Sequence, residues 1–298
     1  MAHKFALIST KGGVGKTTLT ANLGGLFADF GFRVLLIDAD VQPSLSKYYV
    51  LDAEAPNGLV EVIEHGAVEQ DCISRTTVAN LDLVRSNDGQ ARLQHWLHVR
   101  PDRRTRLRDA LSCPLIESCY DFVFVDTQGA VGTLQTAAAF AADTLISPLP
   151  PDTPSAREFR SGTLALLGRI EEDDAEPTAR LAPIKALICR LDRSRDARLI
   201  LADLRGGFEA SDRVTILDTV VPNAVAYKEA FSLRVPAHRH ERRSVRSVSA
   251  FETMHRVAWE LQPDLRGLLA GGLRADPGVV FGRLRTEHRS SILSEVSA

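Results

Sequence analysis

Residues 11–18 read Lys11-Gly12-Gly13-Val14-Gly15-Lys16-Thr17-Thr18. A phosphate-binding loop needs backbone N–H groups that converge on anionic oxygens, and glycines permit that path. It also needs a helix N-terminus behind the loop, a lysine to reach the β- and γ-phosphates, and a hydroxyl for Mg²⁺. All of these are present, which marks Gly12, Gly13, Val14, Gly15, Lys16, Thr17 and Thr18 as a nucleotide phosphate cradle. The usual pattern has glycine seven positions before the threonine. Here that position is Thr10, and a second lysine, Lys11, follows it. Further on stands Asp38-Ala39-Asp40. Two carboxylates one residue apart suit ligation of Mg²⁺ waters and orientation of an attacking water. Asp126 ends another apolar run, as a metal-linked carboxylate does in such sites. The following Thr127-Gln128-Gly129 predicts a tight turn able to sense a γ-phosphate.

These residues need a scaffold that brings them to one edge. Phe5 to Ile8 is a short apolar run, as a buried parallel strand requires. Thr17 to about Phe30 has apolar residues at helical spacing, and Gly31 is a suitable stop. Val34 to Ile37 then reads as a second buried strand ending at Asp38. Further strands are predicted at 81–84, 122–125, 144–147, 184–188 and 214–221. Helical patterns fall at about 104–112, 133–142, 155–171, 195–205 and 248–261. Strands alternating with helices predict an α/β fold, a mostly parallel twisted sheet with helices on both faces. Ligands bind at the C-terminal ends of strands in such sheets, and Asp38, Asp126 and the glycine loop all fall there. Residues 171–183 read as a solvated loop. The division expected is one nucleotide-binding domain over 1–270 and a poorly packed, Ser-rich tail over 271–298.

The chain has 298 residues, 44% of them apolar and 25% charged, which is near the globular average and rules out disorder throughout. No run of about 18 apolar residues is present, so no membrane-spanning helix is expected. The first residues leave no room for the apolar core of a signal peptide, so a cytoplasmic location is expected. None of Cys72, Cys113, Cys119 and Cys189 forms a C-x-x-C pair or has a histidine at zinc-site spacing. The net charge of −2 confines any nucleic-acid contact to a local patch. Basic residues are 30 Arg against 6 Lys, a bias that a GC-rich genome explains, and it makes the two lysines of one loop notable. Arginines cluster at 234–246 (Arg234, Arg239, Arg242, Arg243, Arg246) and at 100–108. Such clusters suit phosphate backbones; the plain alternative is a solvated face of an Arg-rich protein.

The loop with its extra lysine, Asp38-Ala39-Asp40 and Phe124-Val125-Asp126 resemble the deviant Walker ATPases of the ParA/MinD class. The likeness runs over about residues 3–262. It includes Val221-Pro222 and Tyr227-Lys228-Glu229-Ala230, similar to the stretch near the adenine and the DNA-binding surface of ParA proteins. Asp40-Val41-Gln42-Pro43-Ser44-Leu45-Ser46 and Asp126-Thr127-Gln128-Gly129-Ala130 are most similar to ParA (Soj-like) proteins of plasmids and integrative conjugative elements, in the short form without an N-terminal helix-turn-helix.

The resemblance implies ATP and Mg²⁺ as ligands. It implies Lys16 on the β/γ-phosphates, Thr17 on Mg²⁺, Asp38 and Asp126 supporting the metal and its waters, and Asp40 positioning the hydrolytic water. Lys11 would reach a partner's nucleotide in an ATP-sandwich homodimer. Arg190, Val221 and Pro222 would flank the base. Lys228 and the arginines of 234–246 would contact non-specific DNA, and a ParB-like centromere-binding protein would stimulate hydrolysis in a nucleoid-associated cycle. Two departures stand out. Val41 follows the second Asp where Pro is frequent, and Cys189 replaces the usual Asn before Arg190. The competing readings are a MinD-like membrane-cycling ATPase using the tail, an iron–sulfur relative with bridging cysteines, and a nucleotide-gated DNA scaffold with negligible turnover.

Overall fold

The computed structural model describes residues 1–90, 92–172, 181–192, 194–244, 248–276 and 278–281. The first half runs β1 (His3–Leu7), α1 (Lys16–Asp29), β2 (Val34–Ala39), β3 (Leu51–Ala53), α2 (Leu59–His65), β4 (Ile73–Thr76), β5 (Leu81–Val84), α3 (Arg92–His98), α4 (Arg106–Ala110), α5 (Pro114–Cys119) and β6 (Phe122–Thr127). The second half runs α6 (Thr133–Ala141), β7 (Thr144–Leu149), α7 (Thr153–Glu158), α8 (Ala165–Glu172), β8 (Ile184–Leu191), α9 (Arg195–Phe208), β9 (Val214–Ile216), β10 (Val221–Pro222), α10 (Val225–Leu233), α11 (Ala237–His240) and α12 (Ala250–Leu261). The sheet order is β10-β8-β7-β1-β6-β2-β5-β4-β3, and β9 also pairs with β8. Only the β3–β4 and β4–β5 pairings are antiparallel among the described strands.

Alternation along the strands builds both faces. Phe5, Leu7, Leu36, Phe122 and Phe124 point into a core shared with α1 and α10–α12. Ala6, Ile8, Leu35, Ile37, Val123 and Val125 point into the opposite core, under α2–α8. On the first face Phe5 stacks on Phe124 with centroids 4.8 Å apart, and Phe27 of α1 meets Phe124 edge-on at 5.3 Å. Packing of this kind adds about 0.5–1.5 kcal/mol per pair beyond area burial. It ties the first helix rigidly to the strands whose ends carry the carboxylates.

The predicted strand over 214–221 divides in two. The Glu260 carboxylate accepts the amides of Asp218 (2.6 Å) and Thr219 (2.8 Å), which removes them from the ladder. The predicted helix over 155–171 contains a π-helical segment, Phe159–Leu164. There Glu158 accepts a 2.6 Å bond from Thr10 Oγ1, and Thr163 Oγ1 accepts from Thr10 N at 3.2 Å. The side chain at the atypical first position of the glycine loop thus fastens that loop to the neighbouring helix. Past residue 270 most described side chains are exposed, but the chain still anchors to the core. Gly271 N bonds Asp29 O at 2.7 Å, and Phe281 is buried, stacked on Trp259 at 5.7 Å. Residues 282–298, most of the expected tail, lie outside the described residues. No described helix is long and apolar enough to cross a membrane.

Candidate nucleotide-binding site

The glycine loop connects β1 to α1, and Gly15 forms the helix N-cap with φ of 108°. That left-handed conformation favours glycine and turns the first helical amides toward the loop's concavity. Gly12, Gly13, Gly15, Lys16, Thr17 and Thr18 line a cleft of about 620 Å³ together with Asp40, Gln128 and Gly129. Lys16 is 6% exposed. Burial holds its pKa below the ordinary lysine value, against the pull of Asp126 and Asp40, and its Nζ lies 3.4 Å from Lys11 O. A second cavity, of about 180 Å³, shares Gly13, Gly15 and Thr18 with the cleft and also touches Val14. It runs on to Cys189, Arg190, Val221, Pro222 and Lys228. The sequence-predicted phosphate and base residues therefore form one continuous track.

Arg190 has a left-handed backbone (φ 58°) and donates from Nη1 to Gly13 O at 2.7 Å. A non-glycine residue there carries local strain, and here that strain accompanies a clasp on the loop. Cys189 is buried, and burial pushes its thiol up to about 12. It forms an apolar wall of the slot, where the resemblance expects an amide side chain.

The carboxylates divide their work. Asp38 and Asp126 are register partners on adjacent strands, and each is 0% exposed. Asp38 Oδ2 accepts from Ser46 N and Ser46 Oγ, both at 2.7 Å, and Oδ1 accepts from Asp40 N at 3.3 Å. Both oxygens are spent on holding the 40–46 loop. Burial still pushes the Asp38 pKa up to about 6, against those bonds. Asp126 accepts one long bond from Thr20 Oγ1 (3.4 Å), and its Oδ2 has no partner. Burial and then the Asp38 charge push Asp126 up to about 8, opposed by the nearby Thr17 hydroxyl and the charge of Lys16. An orphaned buried carboxylate oxygen beside a threonine hydroxyl and a lysine fits Mg²⁺ held through water and phosphate. No described trio of His, Cys, Asp or Glu forms a closed metal cage. Asp40 is partly exposed in the cleft, and its Oδ1 accepts from Gln42 N at 2.9 Å. Ser86, which the sequence did not flag, donates to Asp40 O at 2.6 Å.

Lys11 is not idle in its own chain. Its Nζ donates to Ser155 Oγ at 2.7 Å and lies 3.5 Å from Asp152. Burial pushes Asp152 up, but the bonds from Ser155 and the Lys11 charge outweigh it and hold the carboxyl below its usual value. Cys119 ends the helix that leads into β6, at the opposite end of the strand from the cleft, which is no place to bridge two nucleotide sites.

The expected DNA face is less uniform than its sequence. Arg239 clasps Asp29 of α1, with Nε at 2.7 Å, and His238 Nε2 shares that carboxylate at 2.7 Å. Arg239 is therefore in large part a structural cation. Arg242 sits over the Phe251 ring at 5.3 Å, and Arg234, Arg242 and Arg243 are exposed. Lys228 is exposed at the rim of the base slot. Arg246 lies outside the described residues. In the other cluster Arg106 Nε donates to Ile63 O (2.8 Å) and Arg100 and Arg106 both pair with Asp102, while Arg108 is exposed.

A mostly parallel sheet, a strand–glycine loop–helix unit and strand-end carboxylates define a P-loop nucleotide-binding protein. Residues 2–172 match the AAA domain family. Chromosome partitioning protein ParA of Caulobacter vibrioides is 31% identical over 235 residues, 78% of this chain and 84% of that protein. An McdA variant of Cyanothece in complex with ATP superposes with a TM-score of 0.67 at 24% identity, covering 80% of this chain and 90% of the other. The septum site-determining protein MinD of Pyrococcus horikoshii with Mg-ADP gives 0.66 at 21% identity, covering 88% and 98%. The chain belongs to the ParA/MinD family of P-loop ATPases.

Proposed function

We propose that this protein is a ParA-type partition ATPase for a plasmid or an integrative element. The observation that carries the reading is the continuous track from the 620 Å³ cleft to the 180 Å³ slot. It is wide where a triphosphate would lie, with Lys16 and Asp40 on its walls, and narrow where a base would lie, between Cys189, Val221 and Pro222 with Arg190 and Lys228 beside them. Lys16, the loop amides and the first turn of α1 hold the phosphates, and Arg190 braces the loop from the base side. Thr17 and Asp126 would hold Mg²⁺, which when bound neutralises charge on the β- and γ-phosphates. Asp40 orients the attacking water from a loop that Asp38, Ser46 and Ser86 keep in place.

Two copies facing each other across their clefts bury the nucleotides between them, and Lys11 exchanges Ser155 and Asp152 for the partner's phosphates. The dimer binds DNA without sequence preference through the exposed arginines of 234–243. A ParB-like partner stimulates hydrolysis, which releases the dimer. The cycle places the protein in the cytoplasm on nucleoid DNA. Light scattering with ATP, ADP or no nucleotide tests this. Dimers are expected with ATP alone in wild type and Asp40→Ala, and monomers throughout in Lys11→Ala. A monomeric Asp40→Ala with saturating ATP contradicts the dimer.

A further inference from the structure

One face of α1 makes contacts that the nucleotide site does not use. Asn22, Gly25 and Asp29 fall at i, i+3 and i+7, one stripe along the helix. All three meet the segment that bears the exposed arginines. Asn22 Oδ1 accepts from Ala237 N at 2.6 Å. A Cβ on Gly25 would lie 2.7 Å from Pro236 Cγ, so the bare Cα lets that proline approach. Asp29 accepts from His238 Nε2 and Arg239 Nε, each at 2.7 Å. Pro236 is the N-cap of α11 and has no N–H to give. Ala237 N is therefore the first donor of that helix, and a side chain from another helix caps it.

Asn22 is 0% exposed, and the other end of its amide faces the nucleotide site. Nδ2 donates to Thr18 O at 2.7 Å and to Tyr48 Oη at 3.0 Å. Thr18 lines both the phosphate cleft and the base slot. Tyr48 is buried and meets the Phe231 ring edge-on at 5.2 Å, and Phe231 lines the same cleft from α10. Two routes from the cleft wall thus converge on one side chain. Its orientation is set by its partners: the Thr18 carbonyl demands the NH₂ end, and the Ala237 N–H demands the oxygen.

We propose that Asn22 is a positioning residue that carries occupancy of the cleft to the arginine segment: phosphates on the first turn of α1 order residues 234–243 through its amide. The inference rests on the nucleotide reading above and adds a coupling to it. The ladder of α1 starts with Leu19 N on Gly15 O at 3.0 Å, so the amides of Lys16, Thr17 and Thr18 stand outside it. Phosphate oxygens satisfy those amides and stiffen the turn whose Thr18 carbonyl Asn22 holds. A stiffer Thr18 narrows the motion of the Asn22 side chain, and with it the position of Ala237 N. Ordering done by the first ligand is not repeated for the second, which is coupling through conformational entropy. The arginines are then already set when a polyanion arrives. Asp29 anchors the same segment, but it stands two turns farther along α1 and lines neither the cleft nor the slot.

Hydrogen exchange of the full chain tests this, with calorimetry on the same samples for nucleotide affinity. Wild type, Asn22→Ala, Tyr48→Phe and Asp29→Asn are compared without nucleotide and with Mg²⁺ and the slowly hydrolysed ATPγS. In wild type, nucleotide should slow exchange over 237–241 about tenfold. Asn22→Ala should bind ATPγS within about threefold of wild type, and the slowing should fall to about twofold or less. Tyr48→Phe removes one hydroxyl and keeps the ring, so it should fold even where Asn22→Ala does not, with the slowing cut to about threefold. Asp29→Asn should speed exchange over 237–241 with and without nucleotide and keep the ratio between the two. Full slowing in Asn22→Ala or in Tyr48→Phe would overturn the proposal. Loss of the ratio in Asp29→Asn as well would make the effect general loosening and overturn the assignment to Asn22. A wild type that binds ATPγS without any change over 237–241 would overturn the coupling and leave the nucleotide reading standing. If wild type binds no nucleotide, both fall.

Discussion

The phosphate-loop edge and the arginine-rich segment after α10 are both strong signals in the sequence, and the structure treats them differently. At the loop edge, residues 11–18, 38–40 and 126 come from three strands that neighbour one another in the sheet, and all of them line or back one cleft. In the arginine segment, one of the five expected contacts is committed to Asp29, another lies over Phe251, and a third is outside the described residues. The difference lies in what fixes each group. A motif at the ends of buried strands is placed by register, whereas a charge run is shared out by whichever carboxylates and rings pack beside it.

The largest expected effect tests the loop edge. Lys16→Ala should weaken ATP and ADP binding by at least about 100-fold, since two charge-assisted bonds are lost, each worth roughly 1.5–3 kcal/mol. Isothermal titration calorimetry would show it. Asp40→Ala should leave both affinities nearly unchanged and slow turnover by about 100-fold, as removal of a water-orienting group does. A parallel loss of affinity would make Asp40 a structural member of the loop.

Asp126→Asn sharpens the comparison from the side of stability. The folded pKa of Asp126 lies above its unfolded value, so the ionised form is penalised in the fold. That penalty is present above about pH 8 and is relieved as pH falls toward 4. The nucleotide-free variant should melt about 2–4 °C higher than wild type near pH 8, with the gap narrowing at pH 6, while Mg²⁺-dependent turnover is lost. Scanning calorimetry at the two pH values checks the sign.

The smallest effects separate the arginines. Arg239→Ala should cost about 1 kcal/mol, discounted for its exposure, because Asp29 and His238 lose their outer partner. Burial alone would raise the Asp29 pKa, but its bonds to Arg239 and His238 lower it to about 2. The stability this clasp supplies is present above about pH 4 and is lost as pH falls through about 2. Arg242→Ala and Arg243→Ala should barely move the melting temperature, and each should reduce the salt slope of DNA binding by about one. If Arg239→Ala changes the DNA slope and leaves stability alone, the division drawn here is wrong.

The central strands and the phosphate loop were legible because period, β-branched runs and punctuation agree there. Several short elements were not: β3, β4, α2, α3, α5 and α11 span only three to seven residues each, and α10, though as long as α6, was missed as well. Nor were the groups that hold the site from a distance. Ser46 and Ser86 reach the carboxylate loop from positions with no local signature. Asp152 and Ser155 meet Lys11 across more than 140 residues, and Gln94 meets Gln128 across 34. The sequence assigned Asp38 and Asp126 one shared task; only side-chain geometry separates a clamp whose oxygens are both used from a carboxylate with one oxygen left open.

The most direct test is binding of non-specific duplex DNA with ATP–Mg²⁺, ADP–Mg²⁺ and no nucleotide, for wild type and Asp40→Ala, at two salt concentrations. Binding with ATP alone, steeply weakened by salt and longer-lived in Asp40→Ala, is the result expected of a nucleotide-switched DNA carrier. Binding that ignores the nucleotide, or none under any condition, would contradict it.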